Sequence, residues 1–142
     1  MQRFQLTRPH EWHRVGDIVV TATIGGHIDD HLWDSFLTFI DTDDTRILFC
    51  LTNNDVGTIT SVQRKKAAEV LSRRAFAAVV LTDSRVIRGV LTAMSWLGAQ
   101  FRPYRWTQIE EAARIVVAEP AGQQQLIELA NEFHREMVAE KR

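Results

Sequence analysis

Along the chain, short β-branched apolar runs alternate with longer stretches whose apolar residues recur every three or four positions. The first pattern predicts strands, and the second predicts helices with one buried face. Ile18 to Ile24 (IVVTATI) reads as a strand, being β-branched and weakly alternating. Gly25-Gly26 ends it. Asp29 or Asp30 then caps a helix that sets Leu32, Trp33, Phe36, Leu37 and Ile40 on one face. Asp41 to Asp44 is a polar loop. Arg46 to Thr52 and Phe76 to Leu81 are near-continuous apolar runs, as expected of strands covered on both faces. Between them a helix opens at Thr58, Thr60 or Ser61 and runs to about Arg73, with Val62, Ala67, Val70 and Leu71 as its inner positions.

The remaining elements follow from turn and cap chemistry. Phe4 to Thr7 reads as a short strand, and Glu11 to Val15 pairs with the Ile18 strand as a hairpin around Gly16-Asp17. Ser84 to Leu97 is a helix stopped by Gly98. Phe101 to Trp106 is an edge strand, because Pro103 lies inside it. Thr107 caps a short helix, with Glu110 completing a capping box. Gln123 to Glu140 is an amphipathic helix with the stripe Leu126, Leu129, Ala130, Phe133 and Met137.

Strands alternating with helices predict an α/β fold with parallel neighbours and right-handed crossovers. The expected architecture is a mixed β-sheet of four to six strands with helices packed on it, plus an extra C-terminal amphipathic helix. Residues 1–117 form the α/β domain. Residues 118–142 form a helical extension, packed on the same domain or on a second subunit.

Composition narrows the function classes. A net charge of −1 over 142 residues gives no general attraction to nucleic acid or anionic membrane. The basic run Arg64-Lys65-Lys66, with Arg73-Arg74 after it, is read as the solvated face of a helix. A single cysteine, Cys50, forms no intramolecular disulfide and suits a reducing compartment. Its apolar neighbours predict a buried thiol. No apolar run approaches the roughly 20 residues of a membrane helix, and the N-terminus lacks the apolar core of a secretory signal. The protein is expected to be soluble and cytoplasmic.

The order of elements and their turns resembles the STAS (SpoIIAA-like) domain, as found in small bacterial stand-alone proteins. The resemblance is carried by Gly25-Gly26-His27-Ile28-Asp29-Asp30 after the first central strand, and by Leu81-Thr82-Asp83-Ser84 with Arg88 to Ala93. Thr107 to Ala112 closes the unit. It covers about residues 4–117. It implies a non-enzymatic regulatory or protein-binding module acting through a protein partner or self-association. Anti-sigma-factor antagonists of that family carry an Asp-Ser-Ser/Thr-Gly motif after a central strand, with a phosphorylated hydroxyl. Here the corresponding region, Thr52 to Ser61, lacks that motif but holds hydroxyls near a helix start. Asn54, Asp55, Thr58, Thr60 and Ser61 are therefore the candidate switch or partner-binding loop.

Two further sets of residues suggest chemistry. Ser84, Arg85 and Arg88 gather free N–H groups and positive charge at a helix start, which suits a small anion. The competing explanation is a plain cap, with Asp83 or Ser84 accepting N–H bonds. His27 and His31 stand four apart, and His10 and His13 three apart; the two pairs are weighed as metal ligands, and no metal or other cofactor is assigned. Trp33 and Trp96 are expected in the core, whereas Trp12 and Trp106 flank polar or basic residues and suit either the rim of a pocket or interface or, more commonly, packing at a sheet edge. The alternative function is a carrier of a small apolar or anionic ligand in a helix–sheet pocket, as in the related CRAL-TRIO fold. An enzyme ranks third, since no nucleophile elbow or phosphate-binding glycine loop occurs.

Overall fold

The computed structural model describes residues 4–53 and 59–140. Five strands form one mixed sheet in the order β1 (His10–Val15), β2 (Ile18–Thr23), β3 (Ile47–Thr52), β4 (Ala77–Leu81), β5 (Gln100–Tyr104). The β1–β2 hairpin is antiparallel and every later pair is parallel. Gly16 makes the hairpin turn at φ 61°, a left-handed conformation that costs glycine little. Five α-helices complete the described fold: α1 (Asp30–Ile40), α2 (Ser61–Arg74), α3 (Arg85–Ser95), α4 (Ile109–Val116) and α5 (Pro120–Glu140).

The period of two along each strand sorts the core into two layers. Val19, Leu48, Ala78 and Val80 face α1, α2 and α3, where Trp33, Phe36, Leu71, Leu91 and Met94 meet them. Val20, Phe49, Val79 and Leu81 face the other way, toward Val116 of α4 and Leu126, Ala130, Phe133 and Met137 of α5. The C-terminal helix thus lays its apolar stripe on the sheet of its own chain. Both faces of the central strands are covered, which explains their unbroken apolar character.

Several local expectations are corrected. Residues 4–7 are not a strand; Leu6 adopts φ 56°, which is incompatible with extended pairing. Val62 is 62% exposed, and Gln63 is buried in its place. Gln63 shares a helix face with Ala67, Val70 and Leu71, whereas Val62 shares one with Lys66 and Glu69. The Gln63 side-chain amide donates to the Ile28 carbonyl at 2.8 Å and its Oε1 accepts the Thr60 N–H at 3.0 Å, while the Gln63 backbone carbonyl accepts from Trp33 Nε1 at 2.9 Å, so a polar residue is satisfied inside the α1–α2 contact. Trp96 is 82% exposed, because α3 ends at Ser95 and its inner face is set by Ile87, Leu91 and Met94. Trp106 is buried instead: it stacks on His134 at 4.4 Å, and its Nε1 donates to the Thr52 carbonyl. Thr107 does not cap. It lies within a 3-10 turn, Trp106–Gln108, that precedes α4, and the reciprocal bonds run between Arg105 and Gln108. Helix α5 begins at Pro120, three residues before the expected start, since proline is well suited to a first helical turn.

Candidate functional site

The three helices of the first layer do not fill the space above the sheet. A narrow cavity of about 130 Å3 lies between them and the strands. Its floor takes one or more side chains from every strand: His10, Thr21 and Thr23, Leu48, Cys50 and Thr52, Ala78 and Val80, and Phe101. That is four strand-to-strand steps, roughly 19 Å across the sheet. Trp33 and Phe36 of α1, Ala67 and Leu71 of α2, and Ile87, Leu91 and Met94 of α3 form the roof. Small residues at Ala67 and Ala78 leave the room. Val86 also lines the cavity yet is 77% exposed, and Ile59, Arg64 and Val90 beside it are half-buried. Among the described residues the more exposed part of this lining lies between the starts of α2 and α3, at the carboxyl ends of the parallel strands, where open α/β sheets bind their ligands.

The few polar groups on this apolar wall are nearly all used by the protein itself. The Thr52 hydroxyl donates to the Leu81 carbonyl at 2.8 Å. Thr21 is the register partner of Cys50. Burial pushes the Cys50 thiol up to about 11, so it stays protonated and is a poor nucleophile. His10 Nδ1 lies 2.9 Å from Thr23 Oγ1. His10 Nε2 is buried with no hydrogen-bond partner among the described residues. Burial, aided by the nearby Arg8 charge, lowers this imidazole to about 3, so His10 is neutral at physiological pH. Its ring sits against Phe36 at 4.4 Å edge to face, with Trp33 at 5.2 Å and Trp12 at 5.9 Å.

The residues singled out from sequence are placed as follows. Ser84 is the N-cap of α3: its hydroxyl accepts the Ile87 N–H at 3.2 Å, and its own N–H donates to Thr82 Oγ1. The Asp83 carboxylate accepts the Trp106 N–H at 3.1 Å, tying the β4–α3 turn to the start of α4. Arg85 is exposed and Arg88 half-buried. Thr60 is the N-cap of α2 and forms a capping box with Gln63, and Ser61 is the first residue of that helix. Asn54, Asp55 and Thr58 lie outside the described residues.

The histidine pairs do not assemble. His10 and His13 are three apart on a strand, so they face opposite sides of the sheet; His13 rests against the Phe4 ring at 4.7 Å on the α5 side. His27 and His31 are exposed and line a separate surface cleft with Arg8, Trp12 and Asp29. Among the described residues no group of three or more metal-ligating side chains is placed to hold an ion. Four of the five basic residues of α2 are engaged: Lys66 pairs with Asp34, Arg73 and Arg74 with Asp41, and Arg64 donates to the Ile59 carbonyl.

Sequence reasoning found most of the wall as core, but not the cavity or its histidine. His10 was weighed only as a metal ligand. The one available signal was its place two residues before Trp12, on the inward parity of an edge strand. No helix among the described residues is long and apolar enough to cross a membrane. Compared with known proteins, the chain matches no family model, no curated protein and no solved structure.

Proposed function

We propose that this protein is a non-enzymatic binding module that holds a small, largely apolar molecule between its sheet and helices α1 to α3. One observation carries the reading: the cavity draws its lining from all five strands and from α1, α2 and α3, and that lining is largely apolar. Its size is close to the ~150 Å3 of an engineered apolar cavity that takes up benzene. The ligand is therefore a single ring or a short acyl chain rather than a large lipid. The chemistry at the wall supports binding over catalysis, since burial holds the Cys50 thiol protonated and the His10 imidazole neutral.

The STAS-like reading belongs to this proposal. The sequential order β1 to β5, with a helix between each parallel pair, is the element order on which that resemblance rests. Ligand uptake between the starts of α2 and α3, beside Thr60 and Ser61, is a means of regulating what the surface recognises. The test is native mass spectrometry of freshly purified protein. We expect an adduct of low mass that is lost on denaturation; protein at its bare chain mass that also takes up no small apolar compound contradicts the reading.

A second reading, surface recognition of a protein partner or a second copy, is favoured by Trp96 and Leu97. These two large apolar residues are 82% and 57% exposed at the end of α3. Replacing both with serine should abolish any concentration-dependent rise in mass measured by light scattering. An unchanged mass profile removes Trp96 and Leu97 from the contact.

A further inference from the structure

We infer that the bound molecule is a small monocarboxylate, an apolar ring or short chain ending in one acidic group, and that the Arg64 guanidinium takes its carboxylate at the outer end of the cavity. This deepens the binding proposed above and rests on it.

The helix period places Arg64. Arg64, Ala67 and Leu71 stand at i, i+3 and i+7, so they share one face of α2, and all three line the cavity. Lys65 and Lys66 fall on other faces and are exposed, whereas Arg64 is half-buried. A long helical side chain leans back over the preceding turn. Here the guanidinium returns to the start of α2, where Nη1 donates to the Ile59 carbonyl at 2.6 Å. Ile59 and Val86 line the same cavity, and Val86 is 77% exposed, so the charge stands where the wall passes from buried residues to open ones. At the floor, Cys50 is only half-buried although helices cover both faces of β3; the surface it keeps faces the cavity. The space is therefore accessible at the middle of the floor as well as at the rim.

Charge selects the ligand class. Arg64 is the one cationic side chain among the described lining residues, since burial keeps His10 neutral. A guanidinium carries five N–H donors. Among the described residues the Arg64 side chain places one of them, on the Ile59 carbonyl, and pairs with no acid. The neighbouring carboxylates are committed elsewhere: Asp30 accepts from Gln63, Asp34 pairs with Lys66, and Asp83 accepts the Trp106 N–H. A half-covered charge with no acidic partner favours a molecule that brings one. The planar fork suits a carboxylate, which takes two parallel N–H bonds. A phosphate monoester carries close to two negative charges at neutral pH, and a single guanidinium leaves one of them unanswered. With its carboxylate on Arg64, the ligand lays its apolar body against Leu48, Val80 and Leu91.

The test compares hexanoate, 1-hexanol and toluene by calorimetry on the wild-type protein and on Arg64→Met, which keeps most of the stem and removes the charge. Hexanoate should bind the wild-type protein more tightly than hexanol. The ratio of the two affinities should fall about tenfold in the variant, the loss of one charge-assisted contact. Toluene should bind both proteins. Should Arg64→Met not fold, the wild-type protein reports alone: hexanoate should shift the Arg64 Nε–H resonance together with the methyls of Leu48, Val80 and Leu91, and hexanol should move the methyls only. An unchanged affinity ratio, tighter binding of hexanol than of hexanoate, an unmoved Arg64 resonance with hexanoate bound, or an Arg64 shift without the methyl shifts overturns the assignment while toluene binding leaves the cavity reading intact. Failure of all three compounds to bind the wild-type protein overturns the cavity reading and this inference together.

Discussion

His10 and Thr23 are register partners across the β1–β2 hairpin, and their side chains meet at 2.9 Å on the cavity side of the sheet. The pairing engages Nδ1, while Nε2 is buried with no hydrogen-bond partner among the described residues. It also makes His10 a reporter of folding. The unfolded chain protonates this residue near pH 6.5, whereas burial first and Arg8 second hold it at about 3 in the fold.

The sign of the pH effect follows. Between pH 6.5 and about 3 the unfolded chain binds one more proton at this site than the folded chain, so unfolding becomes easier as pH falls. The stability is fully present above pH 6.5 and is gone below about 3. At about 1.4 kcal/mol per pH unit the window is worth of order 5 kcal/mol. Urea unfolding at pH 7, 5.5 and 4 should show the wild-type protein losing several kcal/mol more than His10→Phe. Parallel stability curves would contradict a buried, neutral His10.

Ala78, the second residue of β4, is fully buried between Leu48 and Phe101 in register and lines the cavity. Ala78→Leu puts three further carbons into that space. We expect toluene binding to weaken at least about tenfold, with thermal stability equal or slightly higher, because the added surface is buried without displacing a neighbour. Lost stability with toluene binding intact would show that the space lies elsewhere.

Asp41 closes α1 onto the end of α2. Arg73 grips its carboxylate with two N–H groups at 3.0 and 2.7 Å, and Arg74 adds a third at 2.7 Å. These bonds lower the carboxyl to about 2, against 3.8 when free. The depressed value means that the contribution is present above pH 3.8 and is lost as pH falls through 2. Asp41→Asn should cost about 1 kcal/mol at pH 7, the scale of a partly exposed bidentate pair, and the difference should close toward pH 2. A pH-independent difference would assign the effect to helix capping alone.

The sheet was legible because its central strands are β-branched and buried on both faces, a pattern that no amphipathic helix shares. Helix starts were legible where a short polar residue makes the cap, as at Asp29, Thr60 and Ser84. Trp96 reads as core only if α3 runs past it, whereas α3 ends at Ser95 and leaves that ring outside. The cavity was not legible, because an alanine such as Ala78 inside an apolar strand looks the same whether its neighbours close over it or leave room. His10 was hidden by the strand period. Seen as one of a histidine pair it suggested metal, and only the opposite facing of His10 and His13 shows that it acts alone.

The central claim is that the space above the sheet admits a small apolar molecule, and methyl NMR of the wild-type protein titrated with toluene tests it most directly. The account predicts saturable shifts at Leu48, Val80, Ile87, Leu91 and Met94, which line the cavity, with Val20, Leu126 and Met137 on the opposite face unmoved. Spectra that stay fixed at the first set, or shift equally at both, would contradict it.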